Sequence, residues 1–290
     1  MSSRGVAAVW ITIYVMKNTA TAVSRRTVLS LVFSGTCALC QDTEQTSAWK
    51  VFAEWIATLD ARSLQQNTDN TLASYKTKLM QGEASAAEAD LVIAQLNEYM
   101  VGHPSAFQAV AYNRIYESGA KVFTAEPTAF LSEVVKPLHP GKALDLGMGD
   151  GRNAVFLAQQ GWEVLGIDLS EVGISRARER ATRLGVKITA LVQDADQFDY
   201  GSNRWDLVCI IYFSGYNFVR DLEKRVAASL RPGGHVVTEG PSGTPKGLLD
   251  RWVRWEPLGF NIIRLEYRAE KAEWGQSSFG RMLIQKRVRA

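Results

Sequence analysis

From Lys142 onward, short β-rich runs alternate with helical ones, and this alternation narrows the possible folds sharply. The β-rich runs cover residues 143–146, 163–167, 187–192, 206–211 and 235–239. Helical patterns fill 153–160, 173–184 and 219–230 between them. Strands alternating with helices build a mostly parallel sheet with helices on both faces. Two later runs, near 260–267 and 281–288, read as closing strands. The predicted class is α/β, a doubly wound Rossmann-like sheet.

Upstream the period changes. Trp49, Phe52, Ile56 and Leu59 recur at spacings of three and four, as do Leu72, Tyr75 and Leu79, and Val92, Leu96 and Tyr99. That period is helical. Ser85 and Glu88 have the spacing of a capping box, and Gly102-His103-Pro104 stops the helix it opens. These aromatic stripes are read as helix packing. Further helices are expected over 106–117 and 127–135. The expected organisation is a leader over 1–40, a helical extension over 41–105 and an α/β domain over 106–290.

The net charge of +3 comes from one end of the chain. The first forty residues hold Arg4, Lys17, Arg25 and Arg26 and no acid, which leaves 29 basic residues against 30 acidic ones. A near-neutral body gives no basic surface for nucleic acid. Ser24-Arg25-Arg26-Thr27-Val28-Leu29 before a mildly apolar run resembles a twin-arginine export signal. An ordinary secretory signal, an organellar transit sequence and an uncleaved apolar helix are the competing readings. Met16-Lys17 would make a more normal start. Export conflicts with the cytosolic supply of the cofactor inferred below, so both locations stay open. Cys37-x-x-Cys40 has redox spacing but no βαβ unit around it, and Cys209 falls in a buried strand. No His/Cys/Asp cluster has metal-ligand spacing, and no apolar run is long enough for a membrane span.

The chemistry gathers at strand ends. Ala143-Leu-Asp145-Leu-Gly147-Met-Gly149-Asp-Gly151 runs a strand into a glycine turn and then a helix. Such a turn lets a ligand lie against the backbone. No Gly-Lys-Ser/Thr follows, which excludes a phosphate-binding P-loop, and Arg152 stands where a dinucleotide fingerprint needs its last glycine. A carboxylate at Asp145 repels a pyrophosphate and favours a ligand with a positive amino group. Asp168 ends the next strand, placed to grip ribose hydroxyls, while Ser170 is available as a helix cap. In Gln193-Asp194-Ala195-Asp196 a carboxylate can accept an adenine amino group beside the Ala195 N–H. Asp194 is preferred, and either acid can instead be a solvated turn residue. A fourth strand ends in Ile211-Tyr212-Phe213, and Leu230-Arg-Pro-Gly-Gly-His235 feeds a fifth.

Together these motifs resemble the class I S-adenosylmethionine-dependent methyltransferases, over roughly residues 106–290. The resemblance implies a seven-stranded sheet with an antiparallel last strand. It implies that Asp145, Gly147 and Gly149 contact the methionine end of S-adenosylmethionine, Asp168 the ribose and Asp194 with Ala195 the adenine, with Leu169 and Ile211 also among the cofactor-binding residues. Met148 departs from the smaller or polar residues common there and is expected to face solvent or ligand. The segment Asn113-Arg-Ile-Tyr116 is similar, loosely, to small-molecule enzymes of the tellurite- or thiol-resistance type.

The expected activity is methyl transfer to a small molecule by in-line displacement. A cofactor-binding protein without turnover is the alternative, and a dehydrogenase a more distant one. Tyr116, Tyr212 and Tyr216 are acceptor-pocket candidates. Trp252 and Trp255 either line that pocket or pack, and His235 is read as the start of a strand. The acceptor, any general base and the oligomeric state are not written in the sequence.

Overall fold

The computed structural model describes residues 38–61, 63–65, 68–119, 124–217, 219–272 and 275–288. The arginine pair, Met16 and Cys37 lie outside them. The described residues form two compact units. One runs to Leu59 and resumes from residue 68 to His103; the other takes Asp60–Gln65 and everything from Pro104.

The first unit is three helices, α1 (Ala38–Ala57), α2 (Thr68–Gln81) and α3 (Ala86–Gly102). Its core is aromatic: Trp49 stacks on Tyr99 at 5.0 Å and Phe52 packs on Tyr75 at 4.9 Å. Ring pairs of this kind add to the free energy of burial. The capping box forms as its spacing predicts, with Ser85 N donating to Glu88 Oε2 at 2.8 Å and Glu88 N donating to Ser85 Oγ at 3.3 Å. Ala38–Cys40 of the expected leader belong to α1. Among the described residues no helix is long and apolar enough to cross a membrane.

The second unit opens with α4 (Ala106–Glu117) and α5 (Ala129–Val134), then builds the sheet. Its strands are β1 (Lys142–Leu146), β2 (Glu163–Asp168), β3 (Thr189–Val192), β4 (Trp205–Ile211), β5 (Leu230–Pro241), β6 (Phe260–Ala272) and β7 (Gly275–Lys286). Between them run α6 (Arg152–Gln159), α7 (Glu171–Arg183), α8 (Leu222–Ser229) and α9 (Pro245–Trp252). The order is β3-β2-β1-β4-β5-β7-β6, and β7 runs antiparallel to both its neighbours.

Alternate residues of the central strands feed different cores. Leu144, Leu146, Val208 and Ile210 point to one, and Ala143, Leu207, Cys209 and Ile211 to the other. A strand buried on both faces must be apolar throughout, and Asp145 breaks that rule. Strand order reverses between β1 and β4, and a crevice opens there beyond the carboxyl ends of the strands.

Candidate ligand cleft and its lining

One cavity lies at that crevice. Gly147, Gly149, Asp168, Leu169, Asp194, Ala195, Ile211, Tyr116 and Tyr212 all line it, so the fold brings together most residues singled out from sequence. Other candidates lie elsewhere. Tyr216 turns away: its hydroxyl accepts from Trp255 Nε1 at 3.1 Å, and its ring packs against the core beneath Arg251 and Arg254. The short helical turn 214–217 rotates it off the face that Tyr212 and Phe213 present. Trp255 is fully buried against Phe260 and is a packing residue. His235 pairs with Leu207 and Gln285 in the sheet, away from the cavity.

Asp145 is the second departure. It lies behind the wall rather than on it, 2% exposed, between Gly166 and Cys209 on the neighbouring strands. Its Oδ2 has no hydrogen-bond partner among the described residues. Burial, then the Asp168 charge, push its carboxyl up to about 7, against a weaker opposing pull from Arg152. Met148 also departs from expectation. It is buried, and its thioether fills the space that a side chain at Gly166 would need. The loop is thereby anchored to β2.

Asp168 holds the loop in shape. Its Oδ2 accepts from Gly149 N and its Oδ1 from Ser170 N, each at 2.8 Å. Burial raises its carboxyl above the ordinary range despite the amides that hold it down. Ser170 caps α7 as expected, accepting from Gly173 N at 2.9 Å. Gly149 has φ +54°, and a Cβ there would overlap the Tyr116 hydroxyl, so only glycine fits. After β3, Asp194 and Asp196 separate cleanly. Asp196 is tied to Arg220 and Arg225 at 3.2 and 3.3 Å. Among the described residues Asp194 carries no such pair; its Oδ1 accepts from Asp196 N at 2.8 Å and its Oδ2 from Ser105 Oγ at 2.6 Å.

The lining that sequence reasoning missed comes mainly from the start of α4. Ser105, Gln108 and Tyr112 recur, with the already identified Tyr116, at spacings of three and four and share one face over the cavity. Tyr112 hydrogen-bonds the Ser214 side chain, and Ser170 Oγ donates to Asn113 Oδ1 at 2.7 Å, pinning α4 to the start of α7. That periodicity was visible, but a helix presents several faces and the sequence does not say which meets a ligand. Arg152 also lines the cavity, 5.7 Å from the Tyr212 ring. Tyr212 sits at φ +53° and donates to the buried Glu239 Oε1 at 3.0 Å, which Arg281 also holds at 3.1 Å.

The cavity therefore offers a glycine turn, a carboxylate flanked by backbone amides, a second carboxylate beside an apolar alanine, and a cation near a buried acid. This set suits a nucleoside joined to a zwitterionic amino acid. Among the described residues no group of three or more His, Cys, Asp or Glu is arranged to hold a metal ion.

Residues 143–234 match a family model described as a methyltransferase domain. The chain is 27% identical over 167 residues to a ribosomal RNA small subunit methyltransferase C of Alcanivorax borkumensis, covering 55% of this chain and 48% of the relative. It is 26% identical over 183 residues to a ubiquinone biosynthesis O-methyltransferase of a Chelativorans species, covering 60% and 70%. Against a ribosomal protein L11 methyltransferase of Symbiobacterium thermophilum the coverage is 48% and 45%. The chain thus spans about half the length of the first two curated relatives it matches. A solved Burkholderia thailandensis 1,6-didemethyltoxoflavin-N1-methyltransferase shares the fold, with a TM-score of 0.52 at 18% identity over 64% of this chain and 90% of that one.

Proposed function

We propose that the chain is a class I S-adenosylmethionine-dependent methyltransferase, that it binds S-adenosylmethionine along the cleft and that it methylates a small molecule. The observation that carries the cofactor reading is the single cavity shared by the glycine loop, Asp168 and Asp194. In this reading Asp168 holds the ribose hydroxyls and Asp194 with the Ala195 N–H holds the adenine. Arg152, on the cavity lining, complements the carboxylate of the methionine end, and Asp145, behind the wall, favours its ammonium only through the field of its charge. Gly149, which presents no side chain, lets such a ligand lie against the loop backbone. Bound there, S-adenosylmethionine supplies a methyl group activated for in-line displacement.

The chain's own contribution is then positioning and exclusion of water. Tyr116, Tyr212 and Phe213 give the acceptor space aromatic walls, and the Tyr112–Ser214 bond draws α4 and the turn after β4 together over it. A concave space with aromatic walls favours a small flat acceptor over a macromolecular surface. Burial pushes the Tyr116 and Tyr212 phenols up, so both stay protonated at neutral pH and neither serves as a base. The acceptor must present its own lone pair or an acidic group.

The test is transfer of radiolabelled methyl from S-adenosylmethionine by the full chain to panels of thiols, phenols, quinols, amines, ribosomal RNA and ribosomal protein. Label in a small molecule is expected. Label only in RNA or protein would overturn the acceptor class. Cofactor binding without transfer to any panel would favour a binding protein without turnover.

A further inference from the structure

The face of α4 over the cavity carries four polar side chains, and three are accounted for. Ser105 donates to Asp194, Tyr112 bonds Ser214, and Tyr116 packs its hydroxyl on Gly149. Gln108 differs: the residue lines the cavity, and its Oε1 is buried with no hydrogen-bond partner among the described residues. A buried amide oxygen without a donor is destabilising, and the cost is removed when a ligand supplies the donor.

The position of Gln108 narrows that ligand group. α4 rises about 1.5 Å per residue, so its face spans roughly 16 Å from Ser105 to Tyr116. One end lies at Asp194, the base end of the cleft, and the other at Gly149, the amino-acid end. Gln108 stands one turn from Ser105, at the base end. The proposed reading above already gives one amino hydrogen of the adenine to Asp194 and the adjacent ring nitrogen to the Ala195 N–H. The second amino hydrogen and N7 then lie on the opposite edge. A carboxamide matches that edge in both senses, its oxygen accepting from the amino group and its nitrogen donating to N7.

Resting on that reading of the cofactor, we propose that Gln108 is an adenine-recognition residue, its carboxamide pairing with the amino group and N7 of the base. The recognition is supplied by α4, outside residues 143–234 that match the family model.

The experiment is calorimetric titration of the full chain and its Gln108→Leu variant with S-adenosylhomocysteine and with its 7-deaza analogue, alongside thermal melts without ligand. The wild type should bind the 7-deaza compound about tenfold more weakly than the parent, the size expected for one lost hydrogen bond. Gln108→Leu should bind the parent at least tenfold more weakly and no longer distinguish the two, while its ligand-free melting temperature stays level or rises. Equal binding of the parent by both proteins would overturn the role of Gln108 and leave the cofactor reading standing. Weaker binding by the variant with no wild-type discrimination against the 7-deaza compound would overturn the pairing with N7. No binding of either compound to the wild type would overturn the cofactor reading, and this proposal with it.

Discussion

Ser105 Oγ donates to Asp194 Oδ2 at 2.6 Å, closing a contact between residues 89 positions apart at the mouth of the cleft. The bond uses one acceptor site of the carboxylate that would hold the adenine amino group. The two substitutions should therefore act in opposite senses. Asp194→Ala should weaken S-adenosylhomocysteine binding about ten- to a hundredfold, whereas Ser105→Ala should leave it level or tighten it a few-fold. Both are read by calorimetric titration, and equal losses from the two would show that the bond organises the site rather than competing with the ligand.

Asp145 gives a pH dependence with a definite sign. Its carboxyl titrates at about 7 in the folded chain because of burial and of Asp168, and near 3.9 when unfolded. Below the unfolded value both states are protonated and nothing is lost. As pH rises towards 7 the ionised carboxylate favours the unfolded chain, by up to about 1.4 kcal/mol per unit, and above 7 the loss is constant. Asp145→Asn should therefore gain thermal stability relative to wild type between pH 5 and pH 8. Affinity for a ligand bearing an ammonium should rise with pH between 6 and 8 in the wild type and stay flat in the variant.

Gly149 and Tyr116 should show coupled energetics. Gly149→Ala puts a side chain at positive φ and into the Tyr116 hydroxyl. The backbone part costs on the order of 1 kcal/mol, and the overlap adds to it. Removing the hydroxyl in Tyr116→Phe should return the overlap part alone. A double-mutant cycle in urea should give a coupling above about 0.5 kcal/mol, whereas independent sites would add.

The pair of Glu239 and Arg281 is a buried salt bridge, its side chains 2% and 11% exposed. Arg281→Met strands the carboxylate and should destabilise the chain by roughly 3 kcal/mol. Adding Glu239→Gln should restore part of the loss, because no buried charge then lacks its partner. Chemical denaturation measures both, and a double variant as unstable as the sum of the singles would rule the account out.

Local chemistry made much of this readable. The strand runs, the capping box at Ser85 and Glu88, the cap at Ser170 and the three acidic positions follow from period and turn chemistry within a few residues. What stayed hidden depends on residues brought together across the fold. Tyr216 lies four residues after Tyr212, and only the turn between them decides that one lines the cavity and the other packs on Trp255. The burial of Met148 depends on an empty position at Gly166 on the next strand. Asp145 stands out as an acid in an apolar strand, but its alternation within β1 sends it behind the wall instead of onto it.

The thioether of Met148 in the space above Gly166 makes those two positions one packing unit, with a consequence for any pair of substitutions there. A lineage that gained a side chain at 166 while keeping methionine at 148 would lift the loop off β2; one that shortened 148 first would leave a void that a larger 166 could then fill. The first order meets a steric overlap and the second a temporary void, so the two steps are not interchangeable in cost.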